Sequence, residues 1–114
     1  WAFAGLWEID PVALQEVAHA VQVVDVREPA EFDGPLGHIL QARLIPIGEL
    51  ASRQGELRSD QPVVTVCRSG SRSAQAALQL RKAGFAEVAN LRGGMLQWRS
   101  ERLPVSGAGA ETLD

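Results

Sequence analysis

A chain of 114 residues with 46% hydrophobic content is long enough for one domain with a usable core. Its formal net charge of -3 gives no bulk electrostatic reason to expect nucleic acid or an acidic membrane as partner. The single cysteine excludes an intramolecular disulfide and a multi-cysteine zinc site, and it points to a reducing, cytoplasmic compartment. No apolar run approaches the ~18 residues of a membrane span.

In chain order, Leu6-Trp7-Glu8-Ile9 alternates like a short edge strand, and Asp10-Pro11 reads as N-cap and first turn of a helix. Val12, Leu14, Val17 and Ala18 suit one face of that helix. Val21 to Val26 is a buried strand that runs into Asp25-Val26-Arg27-Glu28. Pro29 to Phe32 makes one helical turn, and Asp33-Gly34-Pro35-Leu36-Gly37 is loop. Arg43 to Pro46 is a short strand closed by proline. Ile47 to Leu57 is helical with a break at Gln54-Gly55, and Val63 to Val66 is a strand. A helix from Ser73 to Lys82 stops at Gly84. Ala86 to Leu91 is the last strand, and Gly93-Gly94 opens a helix through Met95, Leu96 and Trp98. Residues 1–105 then form the domain, and the small polar stretch 106–114 reads as a flexible tail or linker. Strands alternating with helices give an α/β fold: a mostly parallel sheet of about five strands with helices on both faces.

The chemistry concentrates in Val66-Cys67-Arg68-Ser69-Gly70-Ser71-Arg72-Ser73. A β-branched run stops at the only cysteine, and two arginines and three serines precede an alanine-rich helix. Helix-start N–H groups lack intrahelical partners, and with nearby cations they lower a thiol pKa. Ser71 or Ser73 suits the N-cap, and Gly70 can take the positive φ needed to fold the loop over sulfur. Free cysteine is often buried and inert. Two flanking arginines make that reading hard to sustain, because they would have to be desolvated with it. In parallel sheets ligands bind at the carboxyl ends of strands, where both Cys67 and the Asp25–Glu28 segment fall.

These segments, taken together, resemble the rhodanese-like domain family. Val23-Val24-Asp25-Val26-Arg27-Glu28-Pro29-Ala30-Glu31-Phe32 is similar to its first motif. Gly37-His38-Ile39 with Ala42-Arg43-Leu44-Ile45-Pro46 is similar to the second, and Val66 to Ser73 to the active-site loop. Leu91-Arg92-Gly93-Gly94-Met95 with Trp98 and Leu103-Pro104-Val105 is similar to the closing motif. Four pieces in order, spanning roughly Trp7 to Val105, are far more specific than any one. The chain departs from the pattern at Leu40-Gln41, where the family has proline and glycine, and in an inserted Gly34-Pro35-Leu36 that could reshape one rim of the pocket.

The resemblance implies a sulfurtransferase of thiosulfate type. Cys67 takes the outer sulfur of a small anionic donor, thiosulfate or a persulfide, and holds it as a persulfide. It then passes the sulfur to cyanide, a thiol or a protein acceptor. The N–H groups of Arg68, Ser69, Gly70, Ser71, Arg72 and Ser73 cradle the sulfur, while the Arg68 and Arg72 side chains draw the anion. Asp25 and Arg27 support the loop, and no metal or organic cofactor is implied. His38 makes a structural hydrogen bond, His19 is a surface residue, Glu28 starts a helix and Trp98 packs in the core. Gly93-Gly94 lets backbone pass close to the loop. Trp1, Phe3 and Trp7 are packing groups.

Two alternatives stand beside this reading. The chain opens on Trp1, which raises a sulfur-relay or regulatory module of a larger protein. A cysteine-based phosphatase or arsenate reductase is the other. Cysteine phosphatases place their arginine sixth after the cysteine, whereas Arg72 is fifth after Cys67, so the ring suits one sulfur atom better than a phosphoryl group.

Overall fold

In a computed structural model, the structure describes residues 7–107. The strands are β1 (Trp7–Ile9), β2 (Gln22–Asp25), β3 (Arg43–Leu44), β4 (Val63–Val66) and β5 (Val88–Leu91). The helices are α1 (Pro11–Val17), α2 (Pro29–Phe32), α3 (Leu50–Arg53), α4 (Ser71–Lys82) and α5 (Gly94–Ser100). The sheet order is β1-β5-β4-β2-β3, and each pairing is parallel. Strands covered on both faces read as unbroken apolar runs, and Val63 to Val66 is buried throughout.

Successive strand residues point to opposite faces. Val24, Val26, Val63, Cys67 and Val88 pack with Leu50, Ala76, Ala77 and Leu80 of α3 and α4. Val23, Val64, Val66, Ala89 and Leu91 pack with Leu14, Met95 and Trp98 of α1 and α5. Trp98 is wholly buried and donates its indole N–H to Pro104 O at 3.0 Å, which makes it a core residue, as its helical spacing with Met95 predicts. The β4 alternation puts Thr65 and Cys67 on the α4 face. Asn90, paired with Thr65 in register, faces the same side.

Several local expectations are corrected. The buried face of α1 is Pro11 and Leu14, continued by Ala18; Val12 and Val17 are exposed. The helix has only two turns, so a wide apolar stripe cannot all reach the sheet. The strand after the loop is only Arg43–Leu44, and residues 47–56 form a short α-helix between two 3₁₀ turns. Helix α4 begins at Ser71 with Gly70 as its cap, at φ 114°, and no side chain caps it. Ser71 is exposed, and the Ser73 hydroxyl is turned to the sulfur instead. At its far end Gly84 N–H donates to Arg81 O and Phe85 N–H to Leu80 O, closing the helix as the glycine predicts.

Ser106 and His38 exchange backbone hydrogen bonds, at 3.0 and 2.8 Å. His38 Nδ1 sits 2.9 Å from Phe32 O, its ring stacked on Phe32, and His19 is exposed. Trp1, Phe3 and residues 108–114 lie outside the described residues. Among the described residues no helix is long and apolar enough to cross a membrane.

Candidate active site

Parallel strands bring the ends of β2, β4 and β5 to one rim, with Asp25, Cys67 and Arg92 at or just past them. Cys67 is 1% exposed. Its sulfur accepts from Gly70 N–H at 3.0 Å and from the Ser73 hydroxyl at 3.2 Å. Burial alone pushes the Cys67 thiol up. The Ser73 hydroxyl and the N–H groups of Ser73, Gly70 and Ser69 outweigh it and hold the thiol below its ordinary value. The sulfur thus sits in a ring of donors that favours its anion without an adjacent base.

The loop keeps that shape because its carbonyls are tied outward. Met95 N–H donates to Cys67 O at 2.9 Å and Leu96 N–H to Arg68 O at 3.0 Å. These are orphan donors of the first turn of α5. Such an approach leaves no room for a side chain at Gly94: a Cβ there would lie 2.5 Å from Cys67 O and 2.6 Å from Arg68 C and O, at a φ of +58°. This is the close passage expected of Gly93-Gly94. From below, Thr65 Oγ1 donates to Ser73 O at 2.7 Å, fixing the first turn of α4 to the sheet.

The two arginines of the loop differ. Arg68 is exposed, and among the described residues no hydrogen bond or ion pair engages its guanidinium. With Arg27, Glu31, Pro35 and Leu36 it lines a cleft of about 230 Å³. The inserted Gly34-Pro35-Leu36 segment therefore forms one wall of that cleft. Arg72 grips Glu31 of α2 with two bonds, at 2.7 and 2.8 Å. The Arg72 guanidinium, with help from Glu28 N–H, brings the Glu31 carboxyl down to about 2. Arg72 is thus largely neutralised where it stands.

Asp25 and Arg27 form a buried pair. Arg27 Nε and Nη2 donate to the two Asp25 oxygens at 2.8 and 2.7 Å, and further bonds reach Gly37 O at 2.8 Å and Glu31 O at 3.1 Å. The pair joins the end of β2 to α2 and to the loop ending at Gly37. Among the described residues its hydrogen bonds reach the cysteine loop through Glu31 and Arg72. Ser69 and Ser71 contribute backbone to the loop, their side chains exposed.

Two contributors escape motif reading as site residues. Glu31 stands inside the first motif, but nothing local marks it as the partner of Arg72. Asn90 contacts the Ser73 hydroxyl through Oδ1. A buried amide in an otherwise apolar strand, Val88-Ala89-Asn90-Leu91, is the signal that could have found it. Among the described residues no cluster of His, Cys, Asp and Glu could hold a metal ion.

A profile of the rhodanese-like domain matches residues 11–101. The chain belongs to the rhodanese-like domain family. It is 41% identical over 101 residues to a protein of Allochromatium vinosum named sulfurtransferase, covering 86% of this chain and 92% of that one. It is 51% identical over 77 residues to an uncharacterized Bacillus subtilis protein, covering 68% of this chain, and it spans 60% of that relative's length. A rhodanese-related protein of Thermoplasma volcanium, known from its crystal structure, superposes with a TM-score of 0.81 at 34% identity, covering 88% of this chain and 97% of the other. This rhodanese-like domain therefore shares its fold with the Thermoplasma volcanium protein.

Proposed function

We propose that the protein is a rhodanese-type sulfurtransferase that carries sulfane sulfur on Cys67, loaded from thiosulfate or a persulfide donor and delivered to cyanide or a thiol. The observation that carries this reading is the donor ring around Sγ: Gly70 N–H and the Ser73 hydroxyl, with the N–H groups of Ser69 and Ser73 also aimed at it. A ring that favours a sulfur anion favours the thiolate that attacks and the persulfide anion that results. With thiosulfate, the Cys67 thiolate attacks the outer sulfur, a new S–S bond forms, and the S–S bond of the donor breaks. Sulfite leaves with the electron pair. Cyanide then attacks the terminal sulfur, thiocyanate departs and the thiolate returns, giving ping-pong kinetics. Arg68, exposed at the cleft, meets the anionic donor. Arg72, held by Glu31, supplies no free cation over the sulfur, which weighs against phosphate chemistry as loop length does.

The test is to incubate the protein with thiosulfate and weigh it, beside Cys67→Ser. One added sulfur on the wild type alone, with thiocyanate formation lost in the variant, is the expected result. No added sulfur from thiosulfate or from any persulfide donor sinks the proposal. A second reading, a relay domain serving a longer protein, is favoured by the chain's spanning 60% of one relative. It predicts slow thiosulfate turnover beside fast transfer to a thiol on another domain or protein.

A further inference from the structure

Ser73 Oγ lies within hydrogen-bonding reach of three atoms: Cys67 Sγ at 3.2 Å, Gly70 O at 3.2 Å and Asn90 Oδ1. A hydroxyl has one proton to give. When Cys67 is a thiolate all three neighbours are acceptors. If Ser73 then gives its proton to sulfur, Asn90 Oδ1 is left facing hydroxyl lone pairs, oxygen against oxygen. Ser73 is 0% exposed and Asn90 3% exposed, so water has little room to separate them. The carboxamide carries its own remedy. Among the described residues Nδ2 makes no hydrogen bond, and it lies beside Gly70, 3.8 Å from where a Cβ would stand. A half-turn of the amide exchanges N for O at almost no cost in shape. It places a donor against Ser73 Oγ and turns Oδ1 toward Gly70, where Gly93 N and Leu91 O lie 3.7 and 3.9 Å from the same point.

We propose that Asn90 is a positioning residue for the sulfur chemistry. Its carboxamide accepts from Ser73 while Cys67 is a thiol. It donates to Ser73 once Cys67 is a thiolate or persulfide, so that the Ser73 proton is aimed at sulfur. Asn90 touches neither sulfur nor donor; it acts through Ser73. Register makes this possible. Asn90 pairs with Thr65 across β5 and β4, and Thr65 in turn holds Ser73 O. The same alternation that puts Cys67 two residues beyond Thr65 puts Asn90 within reach of the first turn of α4.

The proposal rests on Cys67 being the reacting thiol, and its test needs no sulfur donor. The pH dependence of Cys67 alkylation by iodoacetamide is measured for wild type, Asn90→Ala, Asn90→Asp, Ser73→Ala and the Ser73→Ala/Asn90→Ala double variant. Thermal unfolding is followed alongside. The charged groups around the sulfur are Arg68 and Arg72 on its own loop and helix, Glu31 on α2, and Asp25 and Arg27 at the end of β2. They are the same in every variant, so they form a constant background. Asn90→Ala is expected to move the alkylation midpoint upward and slow the reaction about two- to tenfold at neutral pH. Asn90→Asp, which can only accept and adds a negative charge, is expected to move it further. In the Ser73→Ala background, Asn90→Ala is expected to add nothing. An unchanged or lowered midpoint for Asn90→Ala, or the same shift with and without Ser73, overturns the proposal. Should Asn90→Asp fail to fold, the two alanine comparisons decide alone. Alkylation as expected in a protein that takes up no sulfur would leave this inference standing while sinking sulfur transfer.

Discussion

Two arginine–carboxylate pairs flank the same cleft and look alike on paper. Asp25–Arg27 is 0% and 1% exposed and uses its remaining donors on Gly37 O and Glu31 O. Glu31–Arg72 is about one third exposed on each side and joins α2 to the first turn of α4. The first pair cannot open without stranding a charge where water does not reach, and a stranded buried charge is expensive. The second can open into solvent at little cost. One is fixed architecture and the other a latch between α2 and the first turn of α4. Arg68, beside them on the cleft, has no hydrogen bond or ion pair among the described residues.

The largest effect that would test this contrast comes from Arg27→Ala. It leaves Asp25 buried without its partner and is expected to cost about 3–5 kcal/mol in urea unfolding. A loss below ~1 kcal/mol would place Asp25–Arg27 in the same class as the exposed pair. Next is Arg68→Glu, which reverses the charge that lines the cleft without a partner among the described residues. The KM for thiosulfate should rise roughly tenfold with the unfolding midpoint unchanged. An unaltered KM would move donor recognition elsewhere. Glu31→Gln should do the opposite on a smaller scale. With Arg72 released, the KM for thiosulfate falls about two- to fivefold at low ionic strength, and the difference fades with salt. Its stability cost should stay under ~1 kcal/mol. A higher KM would mean the loop needs the latch closed.

The smallest effect is acid titration of the latch. Glu31 is held at about 2 against an ordinary 4.5. A carboxyl lowered by folding contributes its stability in full above the ordinary value and loses it as pH falls toward the lowered one. Wild type and Glu31→Gln should therefore converge in thermal stability between about pH 4.5 and 2. A Glu31 carboxyl seen by NMR to titrate at its ordinary value would show the latch open in solution.

The contrast also explains what could be read ahead of the structure. Val63–Val66, the helical turn at Pro29, the stop at Gly84 and the tight passage at Gly94 follow from local rules: period, fixed φ, a missing Cβ. The helix after Cys67 starts at Ser71 without a serine cap, although serine is a good cap in general, because the Ser73 hydroxyl has a stronger claim from the sulfur. Val12 and Val17 share an apolar spacing with Leu14 yet are exposed, because spacing does not say how short a helix will be.

By itself the sequence determined that a lone cysteine ends a buried strand, that a glycine-centred loop returns over it, and that a helix follows. Each is a property of neighbouring residues and their backbone preferences. The tertiary structure alone decided which charges are free and which proton points where. Arg72 meets Glu31 across 41 residues of chain, and Ser73 meets Asn90 across 17. Such partners are chosen by strand order and register, which no local preference encodes. The result is a cysteine ringed by N–H groups, with one loop arginine paired to Glu31 and the other unpaired among the described residues.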